Sequence, residues 1–217
     1  MTYSIAARCP QTNAFGIAIT SSSICVASRC AWMSPHGAVL TQNITDPQLG
    51  VLGLALLKQG MGAPGVLAAL TASTRHAAFR QLAVVDRYGE TAHHSGGNAT
   101  PQVGQAAGPN CVAIGNILAD ASVPAAMIDA FGSSADREFP ERLLVALEAG
   151  LNAGGETKDE RSAGLEIYRH FTWPVVDLRV DWHEDPIGEL RRTWTEYEKQ
   201  LPDYLARALD PAAAPGF

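Results

Sequence analysis

The sequence predicts an α+β fold in which mainly antiparallel sheets are layered with pairs of helices. Three observations carry this. β-like segments come as hairpins instead of alternating singly with helices, helix candidates follow one another in twos, and small side chains must fill the core. Of 217 residues, 47% are apolar and 18% charged, yet only 7% are aromatic. That composition excludes a disordered chain and leaves Ala, Val, Leu and Gly to build the interior.

At the N-terminus Tyr3, Ile5 and Ala7 alternate with Ser4, Ala6 and Arg8, the period of a half-buried strand. Pro10-Gln11-Thr12-Asn13 turns the chain, and Phe15-Gly16-Ile17-Ala18-Ile19-Thr20 returns as its hairpin partner. Gly37 to Gln42 is a third strand, ended by Asn43-Ile44-Thr45-Asp46-Pro47, where Asp46 or Thr45 caps a helix with Pro47 in its first turn. Leu49, Leu52, Leu54, Leu56 and Leu57 recur through Gln48 to Gln59 with a partly helical period, and Gly60 stops the run. A second helix covers Pro64 to Thr74. Gln81 to Val85 and Thr91 to Ser95 form another hairpin about Arg87-Tyr88-Gly89, and Cys111 to Leu118 is a further β segment. Helices follow at Val123 to Phe131 and Pro140 to Asn152, then strands at Ser162 to Tyr168 and Val175 to Val180.

The closing helix carries a heptad stripe, because Ile187, Leu190, Trp194, Tyr197, Leu201 and Tyr204 recur at spacings of three and four. Asp185 caps it before Pro186, and Pro202 requires a kink or restart near Leu201. Such a stripe either lies across its own domain or is buried in a homodimer interface over 186–208. Five of the 15 aromatics, Trp182, Trp194, Tyr197, Tyr204 and Phe217, fall in the last 36 residues, so a subunit partner is expected there. At roughly 150 residues per domain the length fits one domain over 1–210, with an Ala/Pro-rich flexible tail at 211–217.

Sixteen Lys plus Arg against 22 Asp plus Glu give a net charge of −6, the wrong sign for neutralising nucleic-acid phosphates. No apolar run is long enough for a membrane helix and no signal-peptide pattern opens the chain, so a cytoplasmic protein acting on a small molecule is expected. The four cysteines form no CxxC pair and read as reduced, mostly buried thiols. Gly96-Gly97 and Gly154-Gly155 match neither dinucleotide nor P-loop spacing, so no cofactor is implied.

Thr2 is the leading candidate for chemistry. With Met1 removed, it unites a hydroxyl nucleophile with a free α-amine, whose reference pKa of roughly 7.7–8.0 makes it a competent base. The strand that it heads and the partner strand Gly16 to Ser23 resemble the opening of N-terminal-nucleophile hydrolases such as proteasome β subunits, whose second strand reads Gly-x-x-x-Ala-x-Asp-Ser. Here Thr20 replaces the Ala and Ser22 the Asp, and no lysine lies near Ser21 and Ser22 in sequence.

From Thr2 to about Arg192 the chain resembles the bacterial domain of unknown function 1028 family. The resemblance runs through Thr2-Tyr3-Ser4-Ile5-Ala6-Ala7-Arg8, Gly37-Ala38-Val39-Leu40-Thr41-Gln42, Phe79-Arg80-Gln81-Leu82, Gly115-Asn116-Ile117-Leu118, Glu141-Arg142-Leu143-Leu144 and Val176-Asp177-Leu178-Arg179-Val180-Asp181. It implies an N-terminal-nucleophile-hydrolase-like, four-layer αββα sandwich with Thr2 at the end of a central strand. Ser21, Ser22, Gln42 and Asn116 then become candidates to line the cleft. Asn116 suits an oxyanion donor, Ser21 a catalytic partner, and Ser22 and Gln42 substrate contacts. Asn116 reads equally as a group that satisfies the backbone at a strand end, and Gln42 reads more readily as a structural hydrogen-bonding group than as a catalytic one. Arg80 is either an anionic-substrate clamp or a structural ion pair with Asp86, Asp177 or Asp181.

The expected activity is amide or acyl hydrolysis through Thr2. One alternative is an inactive binding or scaffold protein, favoured by Ser22 in the acid's place. Another is a metal-dependent hydrolase using His93 or His94 with His183 and Asp185, since the two adjacent strand histidines face opposite ways and cannot chelate one ion together. A solvated helix cap is the simpler explanation of His183-Glu184-Asp185.

Overall fold

Small inward-facing side chains let two sheets stack directly on one another. In the computed structural model, which describes residues 2–99 and 101–216, the first hairpin is β1 (Thr2–Arg8) and β2 (Phe15–Ser21). There follow α1 (Val26–Cys30), β3 (Ala31–Ser34), β4 (Gly37–Asn43), α2 (Pro47–Lys58), α3 (Ala63–Ser73), β5 (Arg80–Asp86) and β6 (Thr91–Ser95). The second half contains β7 (Val103–Gly108), β8 (Cys111–Asn116), α4 (Val123–Ser133), α5 (Phe139–Asn152), β9 (Ser162–Tyr168), β10 (Val176–Val180) and α6 (Pro186–Leu209). Met1, on whose removal the N-terminal chemistry turns, and Phe217, the end of the expected tail, lie outside the described residues.

The strands form a six-stranded sheet, order β10-β9-β2-β1-β8-β7, and a four-stranded sheet, order β3-β4-β5-β6, with antiparallel neighbours throughout. Ala6, Ile17, Ile19, Leu40, Val85 and Ile114 fill the space between the sheets. Tyr3, Ile5, Met127, Leu143, Leu147 and Leu190 pack the outer face of the larger sheet against α4, α5 and α6. Val39, Leu57, Val66, Leu70, Leu82 and Val84 do the same for the smaller sheet against α2 and α3. The result is the four-layer αββα sandwich, with β1 in its middle.

The caps follow the sequence. Asp46 accepts from the Gln48 N–H at 3.2 Å, and Asp185 accepts from the Gly188 N–H at 2.9 Å. Three elements are additional: α1 is a single short turn, β3 has four residues, and β7 reads Val-Gly-Gln-Ala-Ala-Gly, too short or too weakly alternating to stand out. The four thiols are free, and Cys9, Cys30 and Cys111 are buried. Among the described residues no helix is long and apolar enough to cross a membrane.

The closing helix corrects one expectation, because α6 runs through Pro202 without restarting. Proline deprives the carbonyl four residues earlier, that of Glu198, of its partner, and both residues are on the exposed side where water can replace it. Four of the six stripe residues of α6 are buried within the chain, while Tyr197 is half-buried and Tyr204 exposed. Ile187, Leu190, Trp194 and Leu201 join the core beneath β9 and β10, the Trp194 indole donates to Glu141 at 2.6 Å, and Arg191 bridges Glu141 and Glu148. The chain's own sheet thus covers the buried part of the stripe, the first of the two arrangements its spacing allows.

Close layering makes Gly16 a critical position. A Cβ there would stand 2.4 Å from Leu143 Cδ1 and 2.8 Å from Ile167 Cδ1. Gly16→Val is expected to destabilise the fold by about 1–3 kcal/mol through overpacking, read as a lowered denaturation midpoint with an unchanged slope.

Candidate active site

Strand alternation sets the site. Along β1 the odd residues Tyr3, Ile5 and Ala7 face the helices, so Thr2, Ser4 and Ala6 face the other sheet. Thr2 pairs in register with Asn116 on β8, and its Oγ1 donates to Ser21 Oγ on β2 at 3.4 Å. Ser21 Oγ in turn accepts from the Ser23 N–H at 3.0 Å. The structure thus brings Thr2, Ser21 and Asn116 together at one end of the inter-sheet space, with Ser22 next in line.

A buried acid from elsewhere in the chain meets the residue that follows β2. Glu156 receives the Ser22 N–H on both carboxylate oxygens, at 3.2 and 3.1 Å. It stands on the loop after α5, which turns through Gly154 and Gly155 at φ of +117° and +58°. A Cβ on Gly155 would lie 2.4 Å from Glu160 Oε1, the oxygen that accepts the Glu156 N–H at 3.1 Å. The Thr157 N–H donates to the Ile117 carbonyl at 3.1 Å and the Ala119 N–H to that of Gly155 at 3.0 Å, which pins the loop beside the end of β8. Burial pushes the Glu156 carboxyl up to about 7, while the hydrogen bonds from Ser22 hold it back. Burial also raises the Tyr3 phenol, and the neighbouring Glu160 and Glu156 charges add to this. Neither glutamate stands out in sequence. The adjacent glycines were the only trace of them.

Behind Thr2 runs a buried, uncharged polar seam between the sheets. Ser4 donates to Gln42 at 2.9 Å, and Gln42 donates to Gln81 at 3.0 Å and to the Ile114 carbonyl at 3.2 Å. Gln81 donates to Ser95 at 3.0 Å and to the Gly115 carbonyl at 2.8 Å. Asn116 Nδ2 donates to Gln81 Oε1 at 3.0 Å, whereas its buried Oδ1 has no partner among the described residues. Gln42 is fully buried and joins the two sheets, and one N–H of the Asn116 amide is engaged with Gln81.

Sequence and structure together settle the kinship. Residues 2–190 match the model of a family of unknown function, DUF1028. The chain belongs to the DUF1028 family. Protein SPO2555 from Silicibacter pomeroyi, a DUF1028 protein of known crystal structure, is 32% identical and superposes with a TM-score of 0.83 over 92% of this chain and 88% of its own. Anbu from Hyphomicrobium sp. strain MC1 is 10% identical, with a TM-score of 0.39 over 91% of this chain and 95% of its own. No curated protein matches the chain.

In this DUF1028 chain Arg80 lies away from the Thr2 hydroxyl contact. Its buried guanidinium needs acceptors, and it finds Asp46 at 3.4 Å with the carbonyls of Ile44 and Thr45, tying β5 to the loop before α2. Asp86 is not its partner, since that carboxylate accepts from the N–H groups of Ala63, Tyr88 and Glu90. Arg179 does pair with Asp177, at 2.7 Å. The metal alternative is not assembled. His93 and His94 stand on β6, an edge strand of the smaller sheet, while His183 and Asp185 precede α6, which covers β9 and β10. The Asp185 N–H caps His183 Nδ1 at 2.9 Å, and among the described residues no three His, Cys, Asp or Glu side chains could hold a metal.

The buried acids give stability a pH dependence of definite sign. Glu156 titrates near 7 when folded against 4.5 ordinarily, so the folded state retains the proton between those values and loses stability as pH rises through them. Glu166 on β9 behaves alike: burial and then the Asp177 charge push it to about 7 against the pull of Arg179. Glu156→Gln keeps an acceptor for Ser22 and removes one of these two slopes. Relative to the parent protein it should gain on the order of 2 kcal/mol between about pH 5 and pH 8, measured by urea denaturation at both.

Proposed function

We propose that this DUF1028 protein is an amidohydrolase of the N-terminal-nucleophile type, acting on a small amide or related acyl compound through Thr2 once Met1 is removed. The observation that supports it most is the position of Thr2: it opens the central strand of an αββα sandwich, with its hydroxyl on Ser21 and a buried carboxylate held on the adjacent Ser22.

In this reading the α-amine of Thr2 takes the Oγ1 proton as Oγ1 bonds to the carbonyl carbon of the substrate. The tetrahedral adduct collapses by breaking the C–N bond, and the proton passes from the α-ammonium to the departing amine. Water then attacks the Thr2 ester, giving its proton to the α-amine. Ester cleavage releases the acid and returns that proton to Oγ1. Ser21 is the positioning residue for Oγ1, itself held by the Ser23 N–H. Ionised Glu156 favours the ammonium that forms at each step, by placing negative charge behind Ser22.

Intact mass of protein made in its native host should show loss of Met1. Thr2→Ala should lose about 10³-fold or more of kcat on a panel of small amides, while Thr2→Ser stays within about tenfold. Retained Met1, or turnover undiminished in Thr2→Ala, overturns the mechanism. A binding scaffold would show no turnover in any form.

A further inference from the structure

The loop that supplies Glu156 also builds a cleft. Ser22, Ser23, Lys158, Asp159, Arg161 and Trp182 enclose about 320 Å³, at the small end of the roughly 300–1,000 Å³ usual for small-molecule sites. Backbone hydrogen bonds attach this cleft to the nucleophile's neighbour: the Arg161 N–H donates to the Ser21 carbonyl at 2.7 Å, and the His183 N–H donates to the Arg161 carbonyl at 2.8 Å. Two cations and one acid line it. Asp159 accepts from Arg161 at 3.0 Å, whereas the Lys158 ammonium makes no ion pair among the described residues. The lining side chains alone carry one net positive charge, that of Lys158, with the Glu156 carboxylate behind Ser22. Trp182, 61% exposed, presents an indole at the rim.

We infer that this cleft receives the carboxylate of a small N-acylated amino acid, seated on Lys158 and Arg161 with apolar atoms against Trp182, while the amide extends toward Thr2. The inference deepens the amidohydrolase reading by naming its substrate class. A guanidinium and an ammonium on one cleft wall suit a carboxylate, and a neutral amide of the same shape leaves Lys158 unpaired.

Binding is tested without chemistry, by titrating Thr2→Ala protein with hippurate and with its uncharged analogue hippuramide, followed by tryptophan fluorescence and calorimetry. Hippurate should saturate at millimolar concentration or below and bind about fivefold more tightly than hippuramide, an advantage that Lys158→Met removes and Lys158→Arg retains. Trp182→Phe should abolish the fluorescence change while calorimetry still registers binding. Equal affinity for the two compounds, no saturable binding of hippurate, or an undiminished preference in Lys158→Met overturns the assignment. Because the nucleophile is absent from the titration, failure of the Thr2 mechanism and failure of this cleft are read separately.

Discussion

Two sheets can stack face to face only if the side chains between them are small and mutually compatible, and the whole architecture depends on that contact. Ala6, Ile17, Ile19, Ala38, Leu40, Ala83, Val85 and Ile114 make the apolar part of the interface. Toward one end it turns polar, where Ser4, Gln42, Gln81 and Asn116 form a chain of hydrogen bonds without a formal charge. Uncharged amides suit this place, because each can donate and accept, whereas an ion there would carry a large desolvation cost. The seam fixes the register of β4 and β5 over β1 and β8, and with it the setting in which Thr2 presents its hydroxyl to Ser21.

Beyond that end of the sandwich the chain uses one loop for several purposes. Residues 154–161 carry Glu156 to the Ser22 amide, Glu160 to the Glu156 amide, and Lys158 and Arg161 to the rim of the cleft. Such a segment has to be held firmly. Two left-handed glycines turn it, main-chain bonds to Ile117 and Ala119 fix one side, and the Arg161 bond to Ser21 fixes the other. The carboxylates are therefore positioned by backbone geometry, and main-chain N–H donors hold back part of the rise that burial forces on Glu156.

The sequence was most informative where periodicity and caps are local. The hairpin of β1 and β2, the Asp46 and Asp185 caps and the paired helices all follow from spacings within a few residues. It was uninformative where the deciding contact is distant. Gln42 and Asn116 offered either a cleft or a structural hydrogen bond, and only the register across two sheets brings both onto Gln81. Arg80 could be paired with several aspartates, and the turn before α2 selects Asp46. Pro202 signalled a break that solvent exposure makes unnecessary. The α6 stripe has the spacing of a dimer seam, yet an amphipathic helix laid on its own sheet has the same spacing.

Ser22 shows why a departure from a linear pattern is weak grounds for assuming lost chemistry. A site needs charge at a point in space, and the chain segment that supplies it is immaterial provided the geometry holds. An aspartate at position 22, just after β2, would have placed a carboxylate one methylene from the backbone. Here a serine leaves room, and the longer glutamate reaches the same amide from a loop more than a hundred residues away in the sequence, with an orientation set by the glycine turn. The same loop brings Lys158 and Arg161 to the cleft beside Ser22 and Ser23, with Arg161 paired to Asp159. One segment therefore supplies the buried acid on Ser22, both cations of the cleft and most of its wall, so the loop after α5 and the end of β2 form a single structural unit, in which loss of the loop would remove acid, cation and cleft together.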